Sequence, residues 1–113
     1  MPLFFIIHII GEEQDFDPDS YYRLTTQCQG DNKSLDVLND GTNNNKLILA
    51  KTGNYSGQQW KITLAGNGFY RLTTNWLGDN KSLGVVNDGK NNNQLTLAET
   101  SDCTQQYWKI THV

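Results

Sequence analysis

The chain has 113 residues and is 36% hydrophobic, a length and composition that leave room for one small domain and not for two. Its longest apolar stretch near the start runs from Leu3 only to Ile10, far short of the ~20 residues that a membrane-spanning helix needs, so no membrane span is expected. Residues 1–20 hold five acids and no base, a sum of −5, and residues 21–113 hold 9 bases and 7 acids, a sum of +2; neither part has a Lys/Arg block that would grip phosphates, so nucleic acid is not an expected partner.

In chain order, Leu3–Ile10 reads as one β-strand, and the following segment "GEEQDFDPDS" is acidic and rich in turn residues. Residues 1–20 are therefore set apart from a domain over residues 21–113. Four strands are expected next, at Tyr21–Thr26, Ser34–Leu38, Lys46–Ala50 and Gln58–Thr63. Their counterparts fall at Phe69–Thr74, Ser82–Val86, Gln94–Ala98 and Gln106–Thr111. The apolar residues come in short bursts between Gly, Asn and Asp, and no stretch sustains the spacing of an amphipathic helix, so the fold class is all-β. Leu47 and Leu49 alternate with Lys46 and Ile48, as Trp60 and Ile62 do with Lys61 and Thr63, which defines an inward face. Asn39-Asp40-Gly41 and Asn87-Asp88-Gly89 tolerate positive φ and are expected to turn the chain between the second and third strands of each set.

These two sets are copies. Residues 22–63 laid over residues 70–111 match at 27 of 42 positions without a gap, at a constant offset of 48. A repeat of this size is one supersecondary unit that buries its apolar face against other copies, so a single copy should not fold alone.

Each copy closes with Gln, any residue, Trp: Gln58-Gln59-Trp60 and Gln106-Tyr107-Trp108, both expected on the last strand. An indole can fill the centre of a small barrel, and a Gln amide can satisfy buried backbone groups that otherwise cost ~1–3 kcal/mol each. Trp60 and Trp108 are accordingly core residues first. With "KSLDV" and "KSLGV", this paired motif resembles that of the ricin B-type (R-type) lectin domain. The resemblance covers Tyr22–Val113. It implies a β-trefoil-like body of two four-strand repeats plus an N-terminal strand. Because that family builds its trefoil from three copies, the resemblance also implies completion by another chain, or a longer parent protein, with a closed monomer as a third alternative.

The family's function would be non-catalytic carbohydrate binding, through an Asp at the end of the second strand, an aromatic on the third and an Asn or Gln. Asp36 matches the Asp, and Gly84 replaces it in the second copy. The aromatic position falls on Ala50 and Ala98. Tyr55 could stack on a sugar instead, and Asn39, Asn44 and Asn45 could bond its hydroxyls, so the expected site is Asp36, Asn39, Asn44 and Tyr55. Asn in such runs also forms turns by bonding its own backbone. Trp76 stands where the first copy has Cys28, and is either a sugar platform of the second copy or a cap on the core. The alternative function is a trefoil that has lost sugar binding and serves as a protein-interaction or structural module.

Other chemistries lack support in the sequence. Asp15, Asp17 and Asp19 resemble the start of a calcium loop, but Ser20 and Thr26 occupy the places of its Gly and Glu. His8 and His112 have no neighbour at metal-ligand or triad spacing, and Asp31/Asp79 and Asp40/Asp88 read as turn formers. No enzyme activity and no cofactor or metal is therefore expected. Cys28 and Cys103 read as free thiols, with a mutual disulfide as the alternative. The family resemblance implies an extracellular setting, although no basic residue precedes Arg23 to make a signal sequence. Weak, shallow sites gain from repetition, so a homo-oligomer is expected.

Overall fold

The computed structural model describes residues 16–38, 45–90 and 94–111. Among them are six strands: β1 (Lys33–Val37), β2 (Leu47–Lys51), β3 (Trp60–Gly66), β4 (Phe69–Thr74), β5 (Lys81–Val85) and β6 (Leu95–Glu99). Two single 3-10 turns, Ser56–Gln58 and Thr104–Gln106, precede the two tryptophans of the repeated motif. The strands pair as three antiparallel hairpins, β1–β2, β3–β4 and β5–β6. No α-helix occurs among the described residues, as the short apolar bursts require.

The duplication is preserved in register. Leu35 faces Leu49 in β1–β2, and Leu83 faces Leu97 in β5–β6, 48 residues on. At the mouth of each hairpin a hydroxyl pair repeats: Ser34 Oγ to Thr52 Oγ1 at 2.6 Å, and Ser82 Oγ to Thr100 Oγ1 at 2.6 Å. The threonines donate onward to Asp31 O at 2.7 Å and Asp79 O at 2.6 Å. These buried serines therefore keep their hydrogen bonds inside the protein.

The β3–β4 hairpin joins one copy to the next, with Trp60 opposite Thr74 and Ile62 opposite Leu72. Its turn, Gly66-Asn67-Gly68, has φ of 105°, 54° and 81°; glycine and asparagine are the residues that take this region at least cost. The second N-D-G turn is present, with Gly89 at φ 80° and Lys90 N donating to Asp88 Oδ1 at 2.8 Å. The first N-D-G turn and the expected strand over residues 3–10 lie outside the described residues.

One core serves both copies. Leu24, Leu35, Val37, Trp60 and Ile62 of the first copy pack with Leu72, Leu83 and Leu97 of the second. Leu47 and Leu49 lean on this cluster while Ile48 between them is exposed, so the period-2 alternation holds over these three residues. Leu97 N donates to Asn45 O at 3.1 Å, a backbone link between the copies.

Two expected strands are corrected. Tyr21–Thr26 and Gln106–Thr111 are not ladders: the first makes isolated bridges, Tyr22↔Trp60 and Thr26↔Gly30 among them, and the second makes Tyr70↔Trp108. β4 becomes a full strand because the tight turn sets β3 beside it over its whole length. Tyr21–Thr26 and the segment after Trp108 have no such hairpin partner among the described residues. The Gln of each motif also lies in a 3-10 turn rather than on the last strand, since its amide folds back onto the preceding hairpin.

The acidic segment does not stand wholly apart. Phe16 makes T-shaped contacts with Tyr22 and Tyr70 at ring centroid distances of 5.6 and 5.3 Å, joining the equivalent tyrosines of the two copies. Asp17 N donates to Tyr22 Oη at 2.9 Å. The Asp17 carboxylate closes a local turn, accepting from Asp19 N at 2.9 Å and Ser20 Oγ at 2.8 Å, bonds that hold its pKa below the ordinary carboxylate value. Cys28 and Cys103 are both free, as expected.

Candidate functional site

The repeated Gln and Trp do structural work. Trp60 Nε1 donates to Leu35 O at 3.0 Å and Trp108 Nε1 to Leu83 O at 2.8 Å. Gln58 Nε2 donates to Lys51 O at 2.9 Å and its Oε1 accepts from Gly53 N at 3.0 Å. Gln106 repeats both bonds with Glu99 O and Ser101 N, at 2.8 and 3.0 Å. Each glutamine thus locks the end of a hairpin onto the turn that follows. Trp60 is fully buried, whereas Trp108 is half-buried against the same core. The Trp60 indole is therefore closed to any ligand.

A concavity of about 280 Å³ opens on the first copy, between β1, β2 and the Ser56–Gln58 turn, with Asp36, Ile48, Tyr55, Gly57 and Trp76 in its walls. Asp36 lies across the ladder from Ile48 on the outward face of the β1–β2 hairpin. Its carboxylate is half-buried and fixed: Oδ1 accepts from Val37 N at 2.7 Å and Oδ2 from Gln58 Nε2 at 3.1 Å. Each oxygen has a second acceptor site. The ring of Tyr55 is 62% exposed and folds back over Gly53, where a β-carbon would strike it.

Trp76 comes from the other copy. Its backbone N donates to Ser56 O at 3.3 Å, and Asn75 N donates to Gln59 O at 2.9 Å. Asn75 Nδ2 also donates to Gln59 Oε1 at 2.8 Å, and Tyr21 Oη to Asn75 Oδ1 at 3.1 Å. The loop after β4 is therefore tied to the turn of the first copy, and it carries the indole into that copy's pocket.

The structure thus brings Asp36 and Tyr55 together. Asn39 and Asn44 lie outside the described residues, so their place in the site is not defined. Trp76 is neither a platform of the second copy nor a cap on the core alone: it packs against the core and also walls the pocket of the first copy. Ile48, not an aromatic, is the third-strand residue in the pocket. The signal for Trp76 was its lack of an aromatic counterpart, but the contact across the copies is tertiary and leaves no local pattern.

The second copy lacks this set. Gly84 replaces Asp36, Cys103 replaces Tyr55 and Gln105 replaces Gly57. Among the described residues no group of three His, Cys, Asp or Glu side chains could hold a metal ion, and no helix is long and apolar enough to cross a membrane.

No protein-family model matches the chain, and no curated protein does. The chain does match a solved structure, that of a designed three-fold symmetric protein, ThreeFoil, with a TM-score of 0.74 and 25% identity, over 96% of this chain and 71% of that one. The fold is a β-trefoil. Its two visible copies are trefoil leaves, and the inward-facing indoles and the hairpins with matching registers take their meaning from that architecture.

Proposed function

We propose that this trefoil is a non-catalytic carbohydrate-binding module of the R-type lectin kind, with its site on the first leaf at Asp36, Tyr55 and Trp76. The observation that carries this reading is the convergence of a pinned carboxylate and two aromatic side chains, from different leaves, on one concavity. Hydroxyl-rich ligands offer donors to a carboxylate that itself accepts only, and their C–H faces suit the negative face of an indole or phenol ring. The carboxylate is oriented by Val37 N and Gln58 Nε2 before any ligand arrives, so little side-chain entropy is lost on binding. At about 280 Å³ the pocket lies just below the ~300–1,000 Å³ of typical ligand sites. One sugar unit held weakly is the expected occupant, with repetition of the site in an assembly of copies supplying avidity.

A glycan array tests this directly. The wild-type chain should bind a set of glycans, and Asp36→Ala and Trp76→Ala should each abolish that binding. Absence of any signal, or a signal indifferent to both substitutions, defeats the lectin site and leaves the trefoil as a protein-interaction or structural module.

A further inference from the structure

Arg23 and Arg71 are the same residue of the two leaves, yet they are held differently. Arg71 is half-buried and committed: Nη1 donates to Gln106 Oε1 at 2.8 Å, Nη2 to Ser101 O at 3.0 Å, and the guanidinium lies 5.6 Å from the centre of the Tyr107 ring. Arg23 is exposed, and among the described residues its hydrogen bonding is a 3.5 Å approach of Nη2 to Gly53 O. Two sequence differences accompany the change. Gln59 stands where Tyr107 would lie beneath the guanidinium, and Gln58, held in the same pose as Gln106, spends its second Nε2 proton on Asp36, which has no counterpart at Gly84.

The released Arg23 lines a hollow of about 570 Å³, with Tyr21, Thr25, Asp31 and Gln59 also in its walls. This hollow is distinct from the Asp36 pocket but adjoins it: the turn that gives Gly57 to one gives Gln59 to the other. Asn75, bonded to Tyr21 and Gln59, is the neighbour of Trp76. The Gln59 amide is taken up by Asn54 and Asn75, and the Tyr21 hydroxyl by Asn75. Arg23 is therefore the cationic wall residue with donors to spare, five N–H groups against one 3.5 Å contact. A guanidinium fork fits a carboxylate in two parallel hydrogen bonds. Asp31, in the same walls, repels a second anion but can accept hydroxyl donors, and Tyr21, 49% exposed, offers a ring face to C–H groups.

We propose that this hollow is a second ligand site, taking the carboxylate of an acidic saccharide unit, a uronate, on Arg23, with its hydroxyls directed to Asp31 and its apolar face to Tyr21. The choice of a saccharide rests on the carbohydrate-binding reading of the protein; the choice of a carboxylate rests on Arg23.

The test is a nuclear magnetic resonance titration of the isotope-labelled full chain with glucuronate, glucose and acetate, repeated on Arg23→Gln and Asp36→Asn. Glucuronate should move the Arg23 side-chain and Tyr21 signals and bind there about tenfold or more tightly than glucose, an effect of one charge-assisted pair. That preference should vanish in Arg23→Gln and survive in Asp36→Asn. Glucuronate binding no better than glucose, or a preference that persists in Arg23→Gln, overturns the site. Acetate binding as tightly as glucuronate overturns the saccharide assignment. Failure of the Asp36 reading looks different: glucose and glucuronate then leave Tyr55 and Trp76 unmoved while the Arg23 response remains.

Discussion

Gly57 faces the Asp36 carboxylate so closely that a β-carbon at residue 57 would collide with Oδ1. The second leaf inverts this pair: the carboxylate becomes Gly84 and the glycine becomes Gln105. A β-carbon at Gly84 would come to 3.2 Å from Gln105 O and from Gln106 Cγ. One leaf therefore gives its space to the strand residue and the other to the turn residue, and in the first leaf the two places cannot both be filled without a shift.

Gly57→Ala is accordingly expected to destabilise by about 1–3 kcal/mol, the usual cost of overpacking, since Asp36 is pinned by two hydrogen bonds and cannot swing clear. Adding Asp36→Gly should recover most of that loss in chemical denaturation, because the second leaf already contains this solution. A double variant no more stable than Gly57→Ala would contradict the swap.

Gly53 and Tyr55 form a second such pair, replaced by Ser101 and Cys103 in the other leaf. A β-carbon at residue 53 meets the outer ring atoms of Tyr55, an exposed side chain that can rotate away. Gly53→Ser should therefore leave the denaturation midpoint within about 0.5 kcal/mol of wild type, while weakening glycan binding because the phenol ring leaves the pocket.

The two indoles should differ in weight. Trp60 is fully buried, so Trp60→Ala is expected to cost about 3–5 kcal/mol and to strand the Leu35 carbonyl. Trp108, half-buried, should cost clearly less on the same substitution, as read by urea unfolding of each variant.

Much of this fold was legible in the sequence because it is encoded twice. The constant offset of 48, the alternation around Leu47–Leu49 and the Gln-x-Trp pairs are local patterns, and each corresponds to a hairpin, a core face or a hydrogen-bonded lock. The outer strands were over-read: Tyr21–Thr26 and Gln106–Thr111 have strand-like residues, but a ladder also needs a partner beside it, and periodicity does not report partners. Of the pocket's walls, Asp36 and Tyr55 are legible by type and position. The places of Trp76 and Phe16 are not legible in the sequence, since one reaches across leaves and the other joins two tyrosines 48 residues apart.

Asp17 supplies a pH signature. Its carboxylate is held below the ordinary value, chiefly by the Asp19 N–H and secondarily by the Ser20 hydroxyl. A carboxylate lowered by folding contributes stability that is present above its unfolded pKa and fades as pH falls through the folded one. The turn bearing Phe16 should therefore hold at neutral pH and loosen in acid. In a carboxyl-carbon titration Ser20→Ala should raise the Asp17 midpoint only partway, because the backbone donor remains.

Sugar binding on the first leaf requires the ligand to meet the indole that the second leaf lends to it. The most direct measurement follows the indole N–H signals of Trp60, Trp76 and Trp108 while a panel of simple neutral sugars is added to the intact chain. At least one sugar should shift the Trp76 signal while Trp60 and Trp108 stay in place, and the response should be absent in Asp36→Asn. A Trp76 signal that no sugar moves, or one that moves equally with and without the Asp36 carboxylate, would contradict binding at this site.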